Sequence, residues 1–428
     1  MSALSKGDDV KPARTPIPPQ IKRNTLLLAL MQALIATGFQ LIPSLGGLIM
    51  LRFTDALAFV GLTLSIGRIT SPVMAYPAGR LADSRGRKPV LYLGLLLGSV
   101  GSIVIFYSVA VSSLWIFMGG LVVYGLGLGA LGQITVAAID MYPSSQRGEG
   151  VSYVLSGNAL GSLGSPMLVW ATTSYATTHG LDSLGVPWLV PPVLLALCGV
   201  MVYFIRPDPL EIARNKGRFY PGLEIKKRAV SDEGKMHVSA LLSKLPVMGA
   251  IINGTLALGV MMMMMALSSV ILRQNDYSLT MISVAIALHV IGMFGFSTIF
   301  GRLADRRGRK LMFYIGSVVL AIAGLVTPLT REYWAITGGL FLVGVGWSAV
   351  NVGSTAMLGD SVPPTSMGQI MGINQLVGGV LALFIPTLGG IIAQSYGFPA
   401  VGVASLVLSI PILVIAFRLH ERSPGIYD

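Results

Sequence analysis

The chain has 428 residues, of which 53% are hydrophobic and only 11% charged, with a mean hydropathy of +0.74. Soluble domains carry about a quarter of their residues as charges, so this composition excludes an ordinary soluble fold and points to a bilayer. The formal charge of +12 raises nucleic acid as a partner, which the placement of the charges excludes below, and the single cysteine, Cys198, excludes an internal disulfide. A polar arm over residues 1–20 holds four prolines and is predicted to be disordered. Beyond it, apolar segments of about 20 residues, each long enough to cross a bilayer, recur to the end of the chain. We read twelve, at 25–50, 56–78, 89–110, 113–139, 150–173, 185–205, 246–271, 277–300, 311–329, 333–358, 368–394 and 398–417. The first lacks a small-residue cleavage site and reads as a helix rather than a removed signal.

Between the second and third segments lies Gly79-Arg-Leu-Ala-Asp-Ser-Arg-Gly-Arg-Lys88. The same ten positions return, nine of them identical, between the eighth and ninth segments as Gly301-Arg-Leu-Ala-Asp-Arg-Arg-Gly-Arg-Lys310, 222 residues later. Charge this dense cannot sit in hydrocarbon, so each copy is expected to form a tight surface loop. Asp140-Met-Tyr-Pro143 and Asp360-Ser-Val-Pro363 repeat at an offset of 220, which Gly148/Gly368 and Pro166/Pro386 keep. A duplicated apolar chain with duplicated loops is the build of a secondary transporter. The stretch 206–244 breaks the pattern with nine basic residues and reads as a solvated connection between halves, with a short surface helix near 238–244. The expected organisation is an arm at 1–24, a six-helix bundle at 25–205, a linker at 206–244, a second bundle at 245–418 and a tail at 419–428.

Alternating loops place 26 of the 30 basic residues on one side of the membrane. Only Arg52, Arg273 and Arg331 fall on the other side, and Arg68 lies within a segment. The positive-inside rule therefore places both termini and both repeated loops in the cytoplasm of an inner, plasma-type membrane, and leaves no basic surface for nucleic acid.

The repeated decapeptide resembles motif A of the major facilitator superfamily, and the resemblance runs over nearly the whole chain. It implies an all-α membrane protein with the major facilitator fold: twelve transmembrane helices in two pseudo-symmetric six-helix bundles around a cavity that opens to each side in turn. Within the loops, Gly79, Gly86, Gly301 and Gly308 permit the close turn. Asp83 and Asp305 are expected to cap the following helix or accept bonds from arginine. We expect one charge cluster of Asp83, Arg87 and Asp140, flanked by Arg147, and a counterpart of Asp305, Arg309 and Asp360. Arg147 corresponds to Met367, so the second cluster loses a basic partner. The resemblance implies that such clusters latch the outward-open state. Simple anchoring by basic loops is the alternative, but it has no use for the repeated Asp and Gly.

No Asp or Glu lies deep in any segment, which counts against exchange of cationic drugs for protons. The superfamily's antiporter signature, Gly-Pro-x-x-Gly-Gly in the fifth helix, is not reproduced by Gly157-Asn-Ala-Leu-Gly-Ser-Leu-Gly-Ser-Pro166. Two ionisable groups remain at membrane depth, Arg68 and His289, at nearly equivalent positions of the two halves. Arg68 serves either an anionic solute or lipid phosphate, or else the carbonyls of a broken helix. His289 is read as a cavity or coupling residue. Gln40, Gln133, Asn253, Asn351 and Gln375 are the further polar groups expected to face the cavity.

Met261/Met265 and His289/Met293 each share a helix face at i, i+4, and Met261 and His289 each lie roughly 20 Å from the turn near Arg273–Asp276. This arrangement is similar to that of a bacterial branch of the superfamily that includes copper importers, which implies a soft-metal site at Met261, Met265, His289 and Met293. Plain packing by an adaptable side chain is the competing reading of the methionines. The chain carries no phosphate-binding loop of the Walker type, so a gradient, expected to be of protons, supplies the drive. We expect no enzyme activity, no cofactor and a monomer in the lipid bilayer, carrying a small molecule or ion. Copper import, organic-anion transport through Arg68, export of amphipathic drugs and a non-transporting receptor or scaffold remain as alternatives.

Overall fold

The computed structural model describes residues 16–143, 146–220, 238–363 and 366–419. Most of the N-terminal arm, the middle of the linker and almost all of the C-terminal tail lie outside the described residues. Within them every regular element is helical. The twelve long helices are α1 (Pro19–Thr54), α2 (Leu62–Arg85), α3 (Arg87–Ala110), α4 (Leu114–Met141), α5 (Arg147–Thr178), α6 (Val190–Phe204), α7 (Leu245–Gln274), α8 (Leu279–Arg307), α9 (Arg309–Val326), α10 (Tyr333–Ser361), α11 (Met367–Tyr396) and α12 (Phe398–Arg418). Among the described residues, eleven helical stretches are both long and apolar enough to span a bilayer. The remaining long helix, α5, has 32 residues, ample for a span, but its many Gly, Ser and Thr residues dilute its hydropathy.

Several helices bend where the sequence dictates. In α1 a π-turn over Ile42–Gly46 contains Pro43, whose ring lacks the N–H and disrupts the regular ladder. α4 is interrupted at Gly132 and α8 at Phe296. The two repeated loops are one-residue hinges. Gly86 (φ 97°) joins α2 to α3 and Gly308 (φ 96°) joins α8 to α9, a backbone conformation open only to glycine. Gly79 and Gly301, expected in the turn, instead lie inside α2 and α8, because the helix continues through the charged stretch as far as Arg85 and Arg307.

α1 packs on α5, and α3 on α4, in the first half; α9 packs on α10, and α7 on α11, in the second. The halves meet through α2 against α11 and α5 against α8, pairs that exchange under the pseudo-two-fold. These contacts gather toward the face opposite the repeated loops. There Ser65 Oγ donates to the Ala382 carbonyl (2.7 Å), Ser165 and Ser283 share a hydroxyl contact (3.3 Å), and Ala58 N–H donates to Gln394 Oε1 (3.4 Å). On the same face Arg52 pairs with Asp182.

The start of the linker departs from a solvated tether. Short helices Pro209–Arg214 and Lys216–Phe219 lie as a strap across the ends of the first half, with Ile212 and Tyr220 buried. Arg214 donates to the Asp83 carbonyl (2.9 Å), Lys216 Nζ to the Tyr142 carbonyl (2.8 Å) and Tyr220 OH to the Met141 carbonyl (2.8 Å). Asp208 accepts from the backbone N–H groups of Arg87 and Lys88, both at 3.2 Å, and so supplies the cap of α3 expected from Asp83. The helix expected near 238–244 is present as Val238–Leu242.

Close approach of backbones makes the seam between the halves. A Cβ at Gly390 would stand 2.2 Å from the Leu57 carbonyl oxygen, and one at Gly61 would stand 2.7 Å from the Pro386 carbonyl carbon. Gly390→Val is therefore expected to prop this face open. Spin labels at Ser183 and Glu332, in a Cys198→Ser background, should report a longer distance in the variant; an unchanged distance distribution would mean that the seam does not depend on this contact.

Candidate functional site

Between the halves lies a cavity of about 550 Å³, within the range of small-molecule sites. Its wall is built from α1, α2, α4 and α5 on one side and α7, α8, α10 and α11 on the other. Arg68 is on the wall, and among the described residues it is the only charged side chain there. Among the described residues no Asp, Glu, Lys or His lines the cavity. Among the described residues Arg68 makes neither an ion pair nor a hydrogen bond.

The other expected path residues divide. Gln40, Asn351 and Gln375 line the cavity. Gln133 does not: its Oε1 accepts from Arg87 Nη1 at 3.2 Å, within the first charge cluster. Asn253 is fully buried off the wall, and neither atom of its amide has a partner among the described residues. His289 is also fully buried off the wall, with Nδ1 donating to the Leu340 carbonyl of α10 at 2.7 Å and Nε2 unpartnered. The repeat explains its placement. Position 68 shifted by the loop offset falls on 290, and Val290 lines the cavity. His289 is one residue earlier, about 100° around the helix, and therefore faces α10.

Met261, Met265 and Met293 line the cavity together with Met262. His289 does not join them on the wall, so the imidazole expected to complete a soft-metal set faces another helix. Among the described residues no group of three or more His, Cys, Asp or Glu side chains is placed to hold a metal.

Both expected charge clusters assemble on the face of the repeated loops. Arg87 bonds Asp83 (3.0 Å) and Asp140 (2.7 Å), and Arg309 bonds Asp305 (3.1 Å) and Asp360 (2.8 Å). Each joins α2–α3–α4, or α8–α9–α10, within one half. Arg147 stands apart, exposed at the start of α5. Burial first, and then the Arg147 charge, hold the Lys216 ammonium below its ordinary value.

Sequence reasoning missed two features. Asp208 lies between Pro207 and Pro209, and an Asp followed by Pro is a helix-start signature that was available. The second is a carboxamide couple on the cavity wall, Gln32 Nε2 donating to Asn158 Oδ1 at 2.8 Å. It joins residues 126 apart and has no local signature.

The clusters differ in burial. The Arg87 side chain is 6% exposed and Asp140 17%, against 18% and 34% for Arg309 and Asp360. Removing one partner of a buried pair leaves an uncompensated charge, which costs about 3 kcal/mol, whereas a more exposed pair contributes about 1 kcal/mol. Asp140→Ala should therefore lower the melting temperature in detergent markedly more than Asp360→Ala. Equal losses would contradict this ranking.

The sequence profile of the Major Facilitator Superfamily matches residues 28–255 and, a second time, residues 249–426. An uncharacterised transporter of this type from Bacillus subtilis, YdeG, is 26% identical over 403 residues, covering 92% of this chain and 91% of its own. The riboflavin transporter RfnT of Brucella anthropi is 24% identical over 357 residues, covering 83% and 85%. Among solved structures, a bacterial homologue of the human lysosomal transporter Spinster, in an inward-facing and occupied conformation, superposes with a TM-score of 0.71 at 14% identity. It covers 94% of this chain and 97% of its own.

Proposed function

Because this chain belongs to the Major Facilitator Superfamily and is a multi-pass membrane transporter, we propose that it carries a small organic anion by alternating access. The observation that carries this reading is Arg68, among the described residues the one charged group on the cavity wall and one without an acidic partner. A guanidinium on a cavity wall is best matched by a carboxylate or phosphate that accepts its planar fork of donors. The remaining wall is apolar with scattered amides and hydroxyls, suited to the body of an organic solute rather than to an inorganic ion.

The halves touch toward one face, so the cavity belongs to the state open toward the repeated loops. By the positive-inside rule that is the cytoplasmic side. The charge clusters act within each half, keeping the helix ends of each bundle together while the bundles rock. A latch between halves requires a further partner for Asp83 and Asp305, whose side chains are each 71% exposed. Among the described residues, cationic drugs find no carboxylate on the wall, and a soft metal finds thioethers without the imidazole.

The test compares anions with their neutral twins in a thermal-shift screen of the purified chain. Benzoate and benzamide, 1-naphthoate and 1-naphthamide, and flavin mononucleotide and riboflavin are the pairs; the flavins enter because a relative is named for riboflavin. A solute that binds the native state stabilises it by mass action. At least one anion should raise the melting temperature more than its twin, and Arg68→Gln should abolish that difference. Stabilisation by neutral twins alone, or an unchanged preference in Arg68→Gln, would overturn the reading.

Proton coupling has no carboxylate on the wall to run through. His289, adjacent in sequence to wall residue Val290, is the titratable group left to carry it. His289→Gln should leave anion binding within about twofold of the parent while removing the acceleration of uptake by an inward proton gradient in proteoliposomes. Retention of that acceleration would remove His289 from the coupling path.

A further inference from the structure

Gln32 on α1 and Asn158 on α5 meet across the helix contact and also line the cavity, half-buried. A bonded pair of carboxamides uses one N–H and one oxygen. Whichever way the two amides are turned, one donor group and one oxygen stay free. These free ends have no partner among the described residues. The couple is not needed to hold the helices together. The α1–α5 contact is already closed by glycine, a Cβ at Gly157 standing 2.4 Å from the Ala29 carbonyl oxygen. Thr37 Oγ1 adds a bond to the Gly161 carbonyl at 3.0 Å. By the repeat offset, position 158 corresponds to Gly378, a wall residue with no side chain to offer. The second half therefore has no equivalent pair.

Resting on the reading of Arg68 as the anion site, we propose that the Gln32–Asn158 couple is a second recognition point, which reads a cis-amide or imide edge of the same solute. The N–H and C=O of a lactam or imide lie side by side and present the complement of the couple's free oxygen and amide N–H. Counting 1.5 Å per residue from the helix ends at the face of the repeated loops, Arg68 is roughly 25 Å deep and the couple roughly 18 Å. The anionic group thus enters first, toward the closed end, and the imide edge follows nearer the mouth. The solute class is an anion carrying a lactam or imide, as in nucleobase or flavin derivatives, with its two polar ends several ångströms apart.

The experiment measures dissociation constants with the purified full-length chain. The probes are uridine 5′-monophosphate and flavin mononucleotide, each beside its N3-methyl analogue, which lacks the imide donor. At least one imide should bind about tenfold or more tightly than its methylated partner. Gln32→Ala and Asn158→Ala should each bring that ratio toward one, with the unliganded melting temperature unchanged and the preference for anions over neutral twins retained. Arg68→Gln should do the opposite, losing the charge preference and keeping the imide ratio. Equal binding of every imide and its methylated partner, or binding of plain aryl carboxylates alone, overturns the second recognition point and leaves the anion reading standing. A normal charge preference in Arg68→Gln overturns the anion reading itself. If Gln32→Ala and Asn158→Ala unfold, Asn158→Ser serves as the milder variant, and an undiminished imide ratio in it counts against the proposal.

Discussion

A guanidinium held at membrane depth without a counter-charge costs about 3 kcal/mol even on the more lenient insertion scales. This chain places a guanidinium at that depth in Arg68, whose side chain is exposed on the cavity wall with no acid in the lining among the described residues. The corresponding position of the second half is Val290, which lines the same cavity without charge. On the proposed reading an anion in that space pairs with the guanidinium, which ties the charge of the wall to the chemistry of the solute.

The two halves share their scaffold and differ in their cavity surfaces. The hinge glycines Gly86 and Gly308 adopt nearly the same backbone angles, and each is followed by an arginine that gathers two aspartates. On the wall the symmetry ends. The first half contributes Arg68, Gln40 and the Gln32–Asn158 couple, where the second half has Val290 and Gly378 in place of Arg68 and Asn158. Duplication thus kept the scaffold alike, while the polar groups of the wall differ between the halves, the second contributing Asn351 and Gln375. The strap over the first half fits this division. Asp208, Arg214, Lys216 and Tyr220 bond the ends of α2, α3 and α4. Those ends are where the first half's charge cluster lies.

The architecture was legible because its causes are local or periodic. Apolar length marks each span, the repeated decapeptide marks the two-fold, and basic loops mark a face. The pairing of Arg87 with Asp140, and of Arg309 with Asp360, followed from repeated charges brought to one face by helix length. Which polar residues meet the cavity was less legible, because one residue of rotation decides it. Gln133 turned to the charge cluster, and His289 to the carbonyl of Leu340. Asn158 bonds Gln32 through a contact between helices far apart in the chain, for which no local pattern exists. The strap was hidden by its charge, since a run rich in Lys and Arg reads as solvated even when its Tyr and Ile are buried.

The central claim is that the charge at position 68 selects the charge of the solute, and reversing it is the most direct test. Binding of matched anionic and cationic aryl probes, 1-naphthoate and 1-naphthylmethylammonium, is measured for the parent and for Arg68→Glu in the same lipid. The account predicts that the parent prefers the anion and that the variant prefers the cation. If Arg68→Glu remains folded and keeps the parent's preference, the charge at this position does not select the solute and the account is wrong.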